Sequence, residues 1–483
     1  MRLTARIKIR LYVRTEQTGG TALQDVQYSK SDVKALLIST CAAAMVVPLM
    51  STMLNLALVS IGADFGVGSH DLGYVNTFFL LGSVIGMVPA SRIASIRGMR
   101  KVFRLGLLLT LISSVLLALS PSFPFLMVMR LVVGIVSSLT LVTAVASITY
   151  VVPIEHRGWA LGINTTAVYI GLSLGPFFGG VICDAVGWRF VFVVVAAVAA
   201  VALSLSRAFK HEIVPQPDRP MDWVGAVGWA VSMFVLMIGV VNAGESWAPI
   251  AIAVGAVLLV LEIIYLDRSE NPVFSVRLFR NRGYATAAIS TFMNYGASYS
   301  ISFFMALYLQ SIGALSATEA GLIMLVQPAM QVLLTARAGA LYDKLPDKRT
   351  LPAIGALVTA IGVAMFLFLG TKPDFVYVAV TLVVCGIGSG IFSSPMTALI
   401  MSSVPPEDRG DASGTVSLMR QTGMMVSMGI AMACITFIMG STDNLGPATY
   451  GLFTDTIHAA FSICLVMCIV GLLCTLSSRR RHD

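Results

Sequence analysis

Hydrophobic positions along this chain neither alternate nor recur at a helical spacing. They run on without interruption and stop at short charged or glycine-rich breaks. Fourteen such runs are marked, near 35–61, 72–90, 102–120, 124–150, 161–183, 188–208, 221–242, 248–266, 283–309, 318–342, 350–370, 375–400, 412–437 and 452–477. Each can hold the roughly 20 apolar residues that a membrane-crossing helix needs. The pattern therefore predicts an all-α integral membrane protein with fourteen crossings and both termini on one side.

Composition agrees. Of 483 residues, 57% are hydrophobic and 12% are charged, about half the ~25% charged share of soluble domains. A soluble enzyme and a disordered chain are excluded. The seven cysteines are odd in number and scattered, which excludes a disulfide-stapled scaffold. His70, His156, His211, His458 and His482 are dispersed, with no ligand cluster for a metal. No Gly-x-x-x-x-Gly-Lys phosphate loop is present. Neither a membrane enzyme nor a nucleotide-driven pump is expected, and no cofactor or metal is called for.

Charge sets the orientation. Arg92, Arg97, Arg100, Lys101 and Arg104 follow helix 2, Arg157 follows helix 4, and Arg207, Lys210 and Arg219 follow helix 6. Arg268, Arg277, Arg280 and Arg282 follow helix 8, and Lys344, Lys348 and Arg349 follow helix 10. The other connections carry only Arg189 and Lys372, with Asp64, Asp71, Glu245 and Asp443 among them. The positive-inside rule then places both termini in the cytoplasm of a multi-pass plasma-membrane protein. The net charge of +8 is an orientation signal, so no nucleic-acid partner is expected. Residues 1–34 read as a basic cytoplasmic tail without a signal-peptide core, either solvated or touching anionic lipid. Residues 479–483 form a second basic tail.

The chain also repeats. Val152–Gly162 and Val404–Gly414 share seven of eleven residues, and both join the fourth and fifth helix of a six-helix set if helices 7 and 8 are an insert. A weaker echo pairs Ser91–Ser95 with Gly339–Asp343. The expected domains are a six-helix bundle at 35–210, an inserted pair at 211–270 and a second bundle at 271–478. Parallel repeats of this kind suit a transporter whose halves rock about a shared site.

Several motifs in order carry a resemblance. Gly171-Leu172-Ser173-Leu174-Gly175-Pro176-Phe177-Phe178-Gly179-Gly180 is similar to the antiporter motif of the major facilitator superfamily. Gly187-Trp188-Arg189-Phe190-Val191-Phe192, Tyr308-Leu309-Gln310, Ala320-Gly321-Leu322 with Pro328, and Asp222-Trp223-Val224-Gly225 resemble its fourteen-spanner drug:proton antiporter branch, the multidrug efflux type. The resemblance runs from about residue 35 to the C-terminus and implies the major facilitator fold, two six-helix bundles plus two inserted helices. It departs at two places. Met50 stands where the branch has an embedded Asp, and Ser95 stands where the loop motif has Asp.

Candidate residues follow. Gly171, Gly175, Gly179 and Gly180 let another helix approach closely, and Pro176 bends the helix. They read either as ordinary small-residue packing or as a tight seam between the halves. Arg130 and Arg420 are intramembrane cations, costing at least ~2.5–3.5 kcal/mol at membrane depth. The resemblance ties Arg130 to proton coupling, while a snorkelling outer-end arginine is the alternative. No acid lies mid-helix in the core. Glu319 is the remaining coupling candidate, or simply a first-turn acid favoured by the helix dipole. Arg92, Gly98, Arg100, Lys101, Gly339 and Asp343 are the expected inner gate. Asn55, Asn294, Gln327 and Gln331 are the expected cavity lining.

The function these imply is secondary active export of small amphipathic molecules by alternating access, coupled to protons or another ion, in a monomer within the bilayer. The alternative is a uniporter or symporter for one metabolite, favoured by Met50. With two cations and no buried anion, neutral or anionic cargo is expected over divalent cations.

Overall fold

In the computed structural model, which describes residues 7–14, 21–152, 154–214, 220–242, 245–270, 272–273, 275–342, 344–404, 409–440 and 446–477, the apolar runs fold as helices. A two-stranded antiparallel hairpin precedes them, β1 (Ile7–Arg14) with β2 (Thr21–Tyr28), Ile7 opposite Tyr28. It occupies part of the stretch read as a tail. The first eight helices are α1 (Lys30–Phe65), α2 (Ser69–Arg97), α3 (Met99–Ala118), α4 (Phe123–Val151), α5 (Ile154–Val186), α6 (Arg189–Ser206), α7 (Trp223–Val241) and α8 (Ala248–Arg268). The ninth crossing is made of α9 (Arg282–Ser298), α10 (Ser300–Leu307) and a π turn at Tyr308–Ile312. The tenth is α11 (Ala317–Met324) with α12 (Val326–Tyr342). α13 (Thr350–Met365), α14 (Phe375–Ser402), α15 (Arg409–Met439) and α16 (Tyr450–Ser477) complete the set.

Thirteen stretches among the described residues are long and apolar enough to cross a membrane, and the ninth crossing is outside that count. The ninth is interrupted at Tyr299, where the backbone N–H of Ser300 donates to Ser427 Oγ of α15 at 3.0 Å. The break therefore leaves no orphan donor in lipid. Several helices outrun their apolar stretch on the face of the termini. α1 starts at Lys30 behind a Ser29–Asp32 capping box, and α5 starts at Ile154. A polar first turn continues a helix readily once it has left the hydrocarbon, which hydropathy cannot register. All seven cysteines are free.

Glycines set the packing. Gly171, Gly175 and Gly179 lie at four-residue spacing on one face of α5 and press against Met45, Thr52 and Met53 of α1. That contact is within the first bundle. Pro176 and Gly180, one step round the helix, meet α11 of the second bundle. A Cβ on Gly180 would fall 2.3 Å from Ala317 O, and one on Gly321 would fall 2.3 Å from Pro176 O. The motif read as a seam between halves is thus divided, three glycines within one half and two residues across to the other. Asp184 closes the same seam, accepting Thr318 N at 2.8 Å and Thr318 Oγ1 at 2.5 Å. On the other side Gly73 of α2 presses on Met432 of α15. Both contacts lie on the face opposite the termini. On the face of the termini, Gly162 and Gly414, partners in the internal repeat, have nothing within 4 Å of where a Cβ would stand.

The inserted pair is stitched by Gly239 on Ile252 and Gly255 on Leu236. α7 reaches the bundles through Trp229 Nε1, which donates to Val84 O at 3.2 Å. α8 buries only Ala248, Gly255, Glu262 and Leu266. Such a narrow stripe on a helix apolar all round leaves the rest to lipid.

The seam can be tested directly. A D184C/T318C protein is expected to crosslink under mild oxidation, and adding Gly321→Leu, which drives a side chain into the Pro176 carbonyl, should reduce the yield at least about fivefold. Unchanged yield would show that the two halves do not meet through these residues.

Candidate functional site

Two polar groups face the boundary between the bundles, the first half-buried apart from Tyr169 and the second buried at Arg130. The first forms around Arg420 on α15. Its guanidinium carbon stands 5.9 Å from the centre of the Tyr295 ring on α9. Tyr295 is a hydroxyl neighbour of Tyr169 on α5, which also feels the charge of Arg420. The Tyr169 hydroxyl makes a hydrogen bond to Ser393 Oγ of α14, joining the two halves. Tyr169, Ser393 and Arg420 lie well inside their helices, and Tyr295 lies near the C-terminal end of α9. A cation, two phenols and a hydroxyl in a low-dielectric setting can hold a carboxylate, an imide or a carbonyl-bearing ring. Of these residues the sequence pointed to Arg420. Tyr295 and Ser393 were missed; their only signal is a polar group beside Asn294 and before Pro395.

The second forms around Arg130, fully buried in α4. Its Nε donates to Val75 O at 2.8 Å, and its guanidinium lies 4.6 Å over the Phe79 ring. Nη1 and Nη2 have no partner among the described residues. Tyr299, which belongs to the other half, is near and has Ser51 of α1 as its own neighbour. Full burial rules out a snorkelling side chain. Met50, at the position where the resemblance expects an acid, is fully buried too.

Other expected residues fall elsewhere. Glu319 is exposed and completes a capping box, accepting Ser316 N at 2.9 Å while Glu319 N donates to Ser316 Oγ at 3.2 Å. It is the cap of α11, away from both cations. Asn55 is buried, and its Oδ1 accepts Asn76 Nδ2 at 2.7 Å in an α1–α2 contact. Asn294 and Gln327 are buried, and Gln331 is half-buried beside Gly390.

The expected inner gate binds within its own half and to the segment that leads into the inserted pair. Gly98, at φ 106°, turns the chain between α2 and α3. Glu212, after α6, accepts Arg100 N at 2.9 Å and Lys101 N at 3.4 Å at the start of α3. Arg100 Nη1 donates to Lys210 O at 2.8 Å, and Arg92 Nη2 to Pro220 O at 3.1 Å. A Cβ on Gly339 would meet Ser394 Oγ at 2.9 Å. Asp343 and the tail 479–483 lie outside the described residues. Glu212 meets the positive end of the α3 dipole from a segment more than a hundred residues away. Burial pushes its carboxyl above the ordinary range, opposed by the two backbone N–H groups.

Comparison with known proteins bears on what this architecture does. The family model described as Major Facilitator Superfamily matches residues 40–428 and again 287–483. The riboflavin transporter RibZ of Clostridioides difficile is 25% identical over 450 residues, 93% of this chain and 98% of that protein. Multidrug resistance protein 3 of Bacillus subtilis is 27% identical over 421 residues, 85% of this chain and 78% of that protein. A crystal structure of a POT family transporter with a thioalcohol-conjugated peptide superposes at TM-score 0.72 with 14% identity, covering 97% of this chain and 99% of that one.

Two expectations follow from the geometry. Glu212→Ala should destabilise the protein by about 2 kcal/mol in tryptophan-fluorescence melts, whereas Glu212→Gln, which keeps the acceptor, should lose less than half of that. Because the folded carboxyl is raised, wild-type stability relative to Glu212→Gln should fall as pH rises from the ordinary carboxylate value through the raised one. Separately, Arg130→Met should leave stability unchanged or raise it by about 1 kcal/mol, since it removes two unpartnered donors. A loss above about 2 kcal/mol would make Arg130 a structural tie.

Proposed function

The chain belongs to the Major Facilitator Superfamily and is a membrane-embedded secondary transporter, not an enzyme, and on that footing we propose that it exports small amphipathic molecules by alternating access. The observation that carries this reading is the Tyr169–Ser393 bond beside Arg420 and Tyr295, a polar cluster shared by both halves deep in an apolar protein. Cargo that reaches it would contact each half at once, so its binding energy can differ between the two faces' arrangements. The outer seam at Gly180, Gly321 and Asp184 supports an arrangement shut on that face. The basic connections, Arg100, Lys101 and Arg104 among them, support a cytoplasmic position for the termini. Bundles at 35–210 and 271–478 flank the inserted pair at 211–270. We assign the cluster to neutral or anionic cargo with an aromatic or carbonyl-bearing body. A proton gradient is the natural drive, with Arg130 as the charge whose environment changes when α4 and the Tyr299 break separate.

A second reading is favoured by one observation. Met50 is apolar and fully buried where the antiporter branch carries its acid. Transport of one metabolite without proton antiport, the kind of task the name of RibZ indicates for that relative, fits this better.

Efflux of riboflavin and of anionic and cationic dyes from an expressing strain, at two external pH values, separates the readings. Arg420→Ala should cut anionic efflux at least about tenfold. Efflux of several dyes that collapses with the pH gradient supports antiport, and a single cargo indifferent to pH supports the second reading. Transport confined to divalent cations would overturn the cargo assignment.

A further inference from the structure

The narrow stripe by which α8 is held contains one charged residue. Of Ala248, Gly255, Glu262 and Leu266, three are small or apolar and the fourth is an acid. Glu262 is only 7% exposed, and its Oε1 has no hydrogen-bond partner among the described residues. Its carboxylate lies in the hollow left by a glycine of α7, since a Cβ on Gly228 would stand 2.0 Å from Oε2. A second acid borders the same face. Asp222 caps α7, its Oδ1 accepting Gly225 N at 2.9 Å and the Tyr265 hydroxyl of α8 at 3.0 Å. Its Oδ2 is buried without a partner, and a Cβ on Gly225 would stand 2.6 Å from it. Positions three apart on a helix are neighbours at roughly 5–6 Å, so the two carboxylates share one recess, and the charge of Asp222 acts on Glu262. On the elements packed against this end, Arg92 of α2 donates to Pro220 O, Arg277 to Asp267 O and Ser269 O, and Arg280 to the Asp267 carboxylate.

We propose that Glu262 and Asp222 form a proton-binding site in the inserted pair, holding one exchangeable proton between them on the face of the termini. Two ionised carboxylates in a low-dielectric recess repel each other and lack donors. Uptake of one proton from water forms a single O–H bond, supplies the missing donor and takes the pair from two negative charges to one. A divalent metal is a poorer occupant, because it takes about six oxygens and the recess offers the oxygens of two side chains, one of them already engaged. The bound proton clamps α8 onto α7. Its release restores the repulsion and leaves this end of α8 held by Leu266 and the Tyr265 hydroxyl. α7 in turn touches both bundles, through Trp229 on Val84 O of α2 and through Met237 beside Gly429 of α15. The site does not depend on what drives transport or on what the cluster at Arg420 carries.

Infrared difference spectroscopy on the full-length protein in nanodiscs tests the site. A protonated-carboxyl C=O band present at about pH 6 and lost by about pH 9 is expected. It should vanish in Glu262→Gln and remain in Glu212→Gln and Arg420→Ala. Asp222→Asn, which keeps the cap but removes the neighbouring charge, should move the pH at which the band is lost by at least about one unit. Glu262→Gln mimics the protonated form. At about pH 9 the amides of residues 258–268 should therefore exchange with deuterium at least about fivefold faster in the wild type than in that variant, and equally fast at about pH 6. No band difference between wild type and Glu262→Gln, or a titration unmoved by Asp222→Asn, would overturn the site. Carboxylate bands that shift when potassium is replaced by N-methylglucamine, with no protonated carboxyl at any pH, would assign the recess to a metal cation instead. Equal exchange of wild type and variant at both pH values would overturn the clamp.

Discussion

Lipid offers an apolar helix as good a contact as another helix does, so fourteen such helices are not drawn together by burial of hydrocarbon. Backbone has to reach backbone. The structure meets this with glycines set against carbonyls and amides of the neighbouring helix. Gly82 lies against Leu131 O and Gly134 against Phe79 O, so α2 and α4 each yield to the other. Gly355 and Gly388 do the same between α13 and α14. The two seams between the halves use the same device more sparingly, and that economy leaves them able to part. A side chain added at Gly82, Gly134, Gly355 or Gly388 strikes main-chain atoms, which cannot move aside, whereas one at Gly73 meets the flexible Met432 side chain.

The same constraint governs the polar residues. A donor or acceptor inside hydrocarbon needs a partner from the protein, and most find a carbonyl one turn earlier in their own helix, as Thr52 does at Pro48 O and Thr359 at Gly355 O. Residues whose polar atoms reach another helix are few enough to mark the working parts. Asn55 with Asn76 fixes α1 to α2, Tyr169 with Ser393 bridges the halves, and Arg130 retains donors without acceptors. A buried guanidinium with two donors unpaired among the described residues is costly to keep.

Hydropathy alone made the count of crossings and the all-helical membrane part legible, because a run of apolar residues as long as the bilayer is thick has few other uses. The broken ninth crossing was not legible, since Tyr299 and Ser300 keep an apolar surrounding and the compensating Ser427 lies far along the chain. Side-chain type found Arg130 and Arg420 but could not give their surroundings. It did not find the partners of Asn55 and Glu319 for a related reason, as an asparagine pair and a capping box are recognised only when the partner is in view. Glu212 was invisible altogether. Its value comes from folding back onto the start of α3, a contact that no local pattern encodes.

The interruption at Tyr299 has a mechanical meaning. A continuous helix resists bending because each flexure stretches its ladder of hydrogen bonds, and stretching one in hydrocarbon leaves groups with nowhere else to turn. Here the buried amide of Ser300, freed from the ladder, is anchored to a neighbour that lies alongside, so α9 and α10 can pivot about that point with the anchor intact. The second half is thereby articulated, and its upper portion can swing while its lower portion stays still.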